Sequence, residues 1–204
     1  MMLQCMKTIL SYHEKTSDMI LSDYNYMIVI PLIICFAELR WLLNSPAELI
    51  GMYNSLLNIA KDYDRFILVP LSQPPDYLKK LVETLLEHVD KLSAPLGERL
   101  REYLGSPNNV KAFGIMVKKF LNSLGFYLLN VDVCLYVWDQ IILKIERLRD
   151  ELFWALAVLL VCSEDELMGV AEGKFSDLME MVWMKGKAVS KDLFVSKYLE
   201  VLDA

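Results

Sequence analysis

Residues that form turns are scarce in this sequence. Of its 204 residues only 8 are glycine and 7 are proline. A β-sandwich joins many short strands through turns rich in these residues, so their low content excludes that architecture. Disorder is excluded as well, because 55% of the residues are hydrophobic and 11% are aromatic. A chain of this length is able to bury a sizeable core.

Histidine is also scarce, and no cysteine belongs to a C-x-x-C pair. The only histidines are His13 and His88. The four cysteines occur singly in apolar stretches: Cys5, Cys35, Cys134 and Cys162. Zinc sites need closely spaced cysteine and histidine ligands, so we expect no metal site. The isolated cysteines are typical of buried thiols in a reducing compartment.

An excess of positive charge is missing too. The formal net charge is −6 and the isoelectric point is about 5.0. Nucleic-acid binding needs a basic footprint, and adhesion to anionic lipid needs clustered lysine and arginine. The charge balance therefore predicts that neither nucleic acid nor an anionic membrane is a general partner.

No hydrophobic run is long enough for a transmembrane helix. The best candidate, Tyr24 to Ala37, is about 14 residues long, whereas a spanning helix needs about 20. We predict a buried core helix there, and no signal peptide. The mean hydropathy of +0.32 is nevertheless high. It suggests an apolar surface that is covered by a partner or by the rest of a larger chain.

The apolar spacing and the helix-start signals predict an all-α protein. Ser106-Pro107, Asn130 and the Ser163–Glu166 capping box each mark the start of a helix. We predict one helical domain over 1–204, with sub-lobes 1–72 and 73–204 that meet at Gln73-Pro74-Pro75. The expected helices are 2–18, 24–43, 46–66, 75–92, 95–104, 107–124, 131–147, 149–162 and 164–171, with one or two more between 174 and 202.

The most informative stretch runs from Val131 to Lys144 and carries Trp138 and Asp139 inside an apolar helix. A carboxylate in such a segment costs free energy unless donors satisfy it. We therefore predict that Trp138 is a core residue and that Asp139 is a buried acceptor. An almost uninterrupted apolar run follows at 152–162.

This part of the chain, from Phe113 to about Met168, resembles the C-terminal lobe of the TBC domain, the fold of Rab GTPase-activating proteins. That family has an aromatic-faced helix, a helix centred on W-D, and an apolar helix that ends in an acidic cluster. The residues that carry the resemblance are Phe120, Trp138, Asp139, Trp154 and the Ser163–Leu167 segment. The resemblance implies an all-α, multi-helix TBC-like domain with its C-terminal lobe and part of its N-terminal lobe.

The two catalytic fingers of that family are missing. Its glutamine comes from Y-x-Q-G-M, and its arginine comes from an upstream I-x-x-D-x-x-R. The glutamine region corresponds here to Tyr24, Asn25 and Tyr26, where the sequence has neither glutamine nor glycine. An arginine finger contributes roughly 10³–10⁵ to the rate, and a phenol such as that of Tyr26 cannot replace its fixed charge. We therefore predict a degenerate, non-enzymatic domain with no catalytic residue and no cofactor.

The predicted function is binding of a Rab-type small GTPase, or a scaffold role in a larger complex. It would place the protein in the cytoplasm, peripheral to a membrane compartment through its partners, in membrane trafficking. One alternative is a genuine GTPase-activating protein whose finger residues lie outside this chain. Another is an unrelated all-helical adaptor.

Three further features have structural interpretations. The charged residues from Glu146 to Glu151 are predicted to form a solvated connection between helices. His88, beside Glu87, is predicted to be structural, because no second positioned group points to catalysis. Between Lys174 and Lys191, one helix is predicted to pack its amphipathic face on the core: Phe175, Leu178, Met179, Val182 and Trp183. The alternative is that this face binds a partner helix.

Overall fold

The computed structural model describes residues 76–144, 147–171 and 174–202, together with Ser11, Ala47, Ile50, Gly51 and Asn54. These residues contain helices and no strand, which confirms the predicted all-α class. The helices are α1 Tyr77–Leu92, α2 Ala94–Tyr103, α3 Pro107–Asn122, α4 Val131–Leu143, α5 Leu148–Val161, α6 Glu164–Gly169, α7 Phe175–Ala188 and α8 Lys191–Leu202.

The predicted helix boundaries from 75 onward agree with the structure to within a few residues. The largest difference is at the end of α4, which was predicted at 147 and lies at Leu143. Two helices, α7 and α8, fill the stretch between 174 and 202. The predicted helices 2–18, 24–43 and 46–66 lie outside the described residues, apart from five isolated positions. The break predicted at 73–75 lies outside them as well.

The three predicted helix starts are confirmed, but the side-chain cap forms at two of them and not at the third. The Ser106 hydroxyl accepts the Asn109 N–H at 3.2 Å, and the Asn130 side chain accepts the Val133 N–H at 3.1 Å. Ser163 makes no such cap on α6; its hydroxyl donates instead to the Leu159 carbonyl at 3.1 Å. The reason is that Ser163 comes directly after α5, so its side chain reaches back to the last turn of that helix.

Helix α5 lies at the centre of the described residues. It contacts α1, α3, α4, α6, α7 and α8. Its residues from Ala155 to Leu160 are all buried, whichever side of the helix they face. A helix that is apolar all round has to be surrounded by others, which accounts for the uninterrupted apolar run in the sequence. None of the described helices has both the length and the hydrophobicity to cross a membrane.

Two glycines allow close backbone contacts around this centre. A Cβ atom on Gly114 of α3 would lie 2.9 Å from the Leu78 carbonyl oxygen of α1. A Cβ atom on Gly186 of α7 would lie 2.5 Å from the carbonyl oxygen of Leu128, in the turn that joins α3 to α4. Both distances are too short for any other residue without a shift of backbone.

We expect Gly186→Ala to lower the free energy of unfolding by about 1–3 kcal/mol, the usual cost of overpacking. The methyl group forces α7 away from the Leu128 carbonyl. Urea unfolding followed by circular dichroism measures the change. Gly169→Ala is the matched control, because a Cβ atom there meets nothing within 4 Å. Equal stability of the two variants would contradict the close contact.

Candidate functional site

Trp138, the aromatic half of the predicted W-D pair, is a core residue that also makes a hydrogen bond. Its side chain lies on the buried face of α4 with Cys134, Val137 and Ile141. Its ring N–H donates to the carbonyl oxygen of Leu124 at 2.8 Å. The prediction that Trp138 is a core residue is confirmed. Its ring N–H also holds the turn that precedes α4.

That turn has an unusual backbone. Leu124 has a φ of 50° and Gly125 has a φ of 90°. The Gly125 N–H donates to the Phe120 carbonyl at 2.9 Å, and the Leu124 N–H donates to the Leu121 carbonyl at 3.0 Å. This is a Schellman ending for α3 with leucine where glycine is usual. A left-handed non-glycine residue is strained, so the bond from Trp138 helps to hold it.

Asp139 is exposed, and the prediction that it is a buried acceptor is wrong. Successive residues of an α-helix point about 100° apart. Burial of Trp138 therefore turns Asp139 away from the core. Asp132, seven residues earlier, is exposed on the same side of α4. The helix has a polar stripe, and the carboxylate is solvated.

Phe120 and Trp154, the other two residues of the family resemblance, lie on different helices. Phe120 of α3 is fully buried. Trp154 of α5 is half-buried, with its ring edge-on to His88 of α1 at 4.5 Å between centroids. The Lys91 ammonium lies 5.5 Å from the centre of the Trp154 ring. The tryptophan therefore marks the rim of the α1–α5 contact.

His88 is buried between α1 and α5 and is held by two acceptors. Its Nδ1 atom is 2.8 Å from the Thr84 carbonyl oxygen, and its Nε2 atom is 2.9 Å from a carboxylate oxygen of Asp150. Both bonds form together only when each nitrogen carries a hydrogen. The neighbouring Glu87 is exposed and takes no part. His88 joins two helices.

Glu151 contradicts the prediction of a solvated charged turn. Its side chain is buried in the first turn of α5, with 5% of its surface exposed. The Tyr198 hydroxyl of α8 donates to one carboxylate oxygen, and the Lys144 ammonium lies 3.1 Å from the other. Arg147 and Asp150 are exposed, as predicted for this turn, while Glu146 lies outside the described residues. The burial arises because α8 packs over the start of α5.

Burial shifts the pKa of two tyrosines at this cluster and of Cys162, which lies at the other end of α5. It raises the pKa of the Tyr198 phenol well above its usual range, and the bond to Glu151 raises it further. It also raises the pKa of Tyr136, whose ring meets that of Tyr198 edge-on at 5.7 Å. Burial raises the pKa of the Cys162 thiol to about 11. Such a thiol is a poor nucleophile near neutral pH.

Trp183 lies on the side of α7 that faces away from the core. The prediction that it belongs to the packing face is therefore wrong. Leu178 and Val182 are buried as predicted, and Phe175 and Met179 are half-buried. Trp183 and its neighbour Met184 expose 50% and 46% of their surface. The close contact at Gly186 sets the orientation of α7, so the stripe through 182 faces the core and 183 and 184 face outward. We refer to Trp183 and Met184 as the α7 face.

Hydrogen bonds hold α7 against the turn between α3 and α4. The Asn130 N–H donates to the Gly186 carbonyl at 3.1 Å, and the Asn130 side-chain amide donates to the Val189 carbonyl at 2.7 Å. The Lys187 ammonium donates to the carbonyls of Phe126 and Leu129. Burial lowers the pKa of Lys187. This lysine therefore holds a turn, and the orientation of the α7 face is fixed.

The remaining predicted site residues are Tyr24, Asn25 and Tyr26, and they lie outside the described residues. Cys134 and Cys162 are not in a disulfide, and Cys134 is buried. Among the residues that the structure describes, no three histidine, cysteine, aspartate or glutamate side chains are grouped as metal ligands.

Comparison with known proteins gives no relative. No protein-family model matches the chain, and neither the curated proteins nor the solved structures contain a significant match.

The cluster of Glu151, Tyr198 and Lys144 was missed by reasoning from the sequence. Tyr198 is 47 residues from Glu151, and no local pattern joins them. One signal was present: Glu151 directly precedes the apolar run of α5. Because that helix is surrounded by others, Leu148 and Glu151 of its first turn are buried as well.

We expect the two residues of the W-D pair to differ sharply in their effect on stability. Trp138→Ala removes a buried ring and its hydrogen bond, so the free energy of unfolding falls by about 3–5 kcal/mol. Asp139→Ala changes it by less than about 0.5 kcal/mol, as for other surface sites. Denaturant titration measures both, and Trp183→Ala is the control for loss of an exposed tryptophan. A large loss with Asp139→Ala would refute the assigned orientation of α4.

We expect Tyr198→Phe to lower the free energy of unfolding by about 1–3 kcal/mol at neutral pH, because Glu151 loses a buried donor. Above pH of about 10 the unfolded phenol ionises while the folded one keeps its proton. Stability of the wild type therefore falls there, and its advantage over the variant shrinks. Urea titrations from pH 7 to alkaline pH measure the difference, with Tyr127→Phe as control. A constant difference across that range would rule out the assigned burial.

Proposed function

We propose that this chain is a non-catalytic, TBC-like helical module that binds a partner protein, either a Rab-type small GTPase or a scaffold protein of a larger complex. The observation that carries the proposal is the α7 face. Trp183 and Met184 expose about half of their surface side by side on one helix. Large apolar side chains exposed next to each other are common at protein interaction sites.

The residue types of this face are those that dominate binding energy at interfaces. Tryptophan is enriched among interface residues whose truncation costs about 2 kcal/mol or more. Methionine adapts its shape to a partner. Glu180 and Lys187 lie on the same side of α7, three residues before and four residues after Trp183, and are both exposed. They provide a polar rim around an apolar centre, the usual arrangement at an interface.

The described polar clusters support a binding role over a chemical one. Glu151 is bonded to Tyr198 and Lys144, and His88 is bonded to Thr84 and Asp150. Each of these clusters joins two or more helices, and its polar side chains are already bonded to one another or to the backbone. The resemblance to the TBC family suggests a Rab-type GTPase as the partner. It also suggests a cytoplasmic location at a membrane compartment and a role in membrane trafficking, and we propose these as well.

The test is a pull-down from cell lysate with the chain as bait, in two arms. One arm contains GTPases loaded with a non-hydrolysable GTP analogue, and the other contains them loaded with GDP. We expect a GTPase in the first arm only, or one set of scaffold proteins in both. Trp183→Ala with Met184→Ala should weaken capture at least about tenfold. The control is Ile115→Ala, which truncates an exposed apolar residue on α3.

Two results would overturn the proposal. Capture that is unaffected by the double variant removes the α7 face as the binding site. Stimulation of GTP hydrolysis by the unmodified chain contradicts the non-catalytic role, and it would favour a genuine GTPase-activating protein.

A further inference from the structure

A groove with a volume of about 530 Å³ lies where the start of α1 meets the start of α3, and it opens to solvent on one side. It is bounded by the first turn of α1, the turn that joins α2 to α3, and the first two turns of α3. Its volume falls within the range of about 300–1,000 Å³ typical of ligand sites.

The walls of the groove are fixed by the fold. At Gly114 the backbones of α1 and α3 approach so closely that a Cβ atom would lie 2.8 Å from the Leu78 side chain. Ser106 caps α3, and the Asn109 amide donates to the Tyr103 carbonyl at 2.7 Å. The groove therefore keeps its shape without a ligand, which lowers the entropic cost of binding.

The chemistry of the lining combines an apolar floor with positive charge. Leu78, Leu104 and Val110 supply apolar side chains, and Lys79 and Lys111 supply two ammonium groups. None of the described residues that line the groove is acidic, although the chain carries a net charge of −6. The α3 helix begins at this wall, and its dipole places partial positive charge there.

These positive charges are available to a ligand. Lys79 lies 3.6 Å from Glu83, but both side chains are more than half exposed, and such a pair is weak. Within the parts of the chain that the structure describes, Lys111 has no ion-pair partner. A ligand that presents carboxylates to the two lysines and apolar groups to the floor is complementary in both respects.

We propose that this groove binds a short segment of a partner protein that carries both apolar and acidic side chains. A groove that is open along one side suits an extended or helical segment, which enters from the surface. A groove with so few lining residues supports weak, reversible binding. The surface is separate from the α7 face, and the inference does not rest on the function proposed above.

The test starts from a display library of random peptides of about twelve residues, selected on the full chain. We expect enriched peptides to combine aspartate or glutamate with leucine or aromatic residues. Fluorescence anisotropy then measures the dissociation constant of the best labelled peptide. Reversing both charges, with Lys79→Glu and Lys111→Glu, should weaken binding at least about tenfold, and binding should also weaken with added salt.

Lys174→Glu with Lys191→Glu is the matched control, since it changes the net charge by the same amount at exposed lysines that lie at the starts of α7 and α8, outside the groove lining. It should change the dissociation constant by less than about twofold. The Trp183 and Met184 variants should leave peptide binding unchanged, which separates this surface from the α7 face. Any one of three results would overturn the proposal. Acidic peptides are not enriched, both charge reversals weaken binding equally, or the chain binds phosphatidylserine vesicles in place of peptides.

Discussion

Burial of α5 on all its sides is the constraint on which the rest of the described structure depends. The four consecutive side chains from Leu156 to Leu159 point in every direction around the helix, and all of them are buried. Burying a side chain of this size contributes about 1.5–3 kcal/mol. That gain is available only if the other helices surround α5. The positions of α1, α3, α4, α7 and α8 follow from this requirement.

The same constraint explains why charged groups occur inside the fold. The first turn of α5 carries Asp150 and Glu151, which favour the positive end of its dipole. Because α8 packs over that end, the buried carboxylate of Glu151 needs donors, while Asp150 stays exposed. His88 of α1 supplies one to Asp150, and Tyr198 of α8 supplies one to Glu151. Removing the Tyr198 hydroxyl takes a hydrogen bond from a buried carboxylate, so the bond to Glu151 favours one arrangement of the helices over others.

Local patterns in the sequence predicted the helices well, because helix signals act over a few residues. Ser106 and Asn130 cap their helices as expected, and the apolar run at 152–162 is the buried helix α5. The errors concern the side of a helix that faces the core. Asp139 and Trp183 each lie next to a buried residue, and a shift of one position reverses their exposure.

Contacts between distant residues could not be predicted, because a single sequence carries no signal for them. Asn130 was predicted as a cap, yet it also bonds to Gly186 and Val189 on α7. The pairing of Glu151 with Tyr198 likewise depends on how α8 packs. The candidate binding surfaces could not be predicted for the same reason. They are formed by residues from separate helices, or by the side of a helix that packing leaves uncovered.

The bonds that hold α7 have a consequence for binding at its outer side. A partner that binds an exposed helix loses affinity if the helix must first be ordered or reoriented. Here Lys187 and Asn130 fix α7 to the α3–α4 turn, and that turn is held by the Trp138 bond to Leu124. The tryptophan of the W-D pair therefore acts on the α7 face through two successive contacts. A core residue that never touches a partner thus helps to keep the binding surface in one orientation.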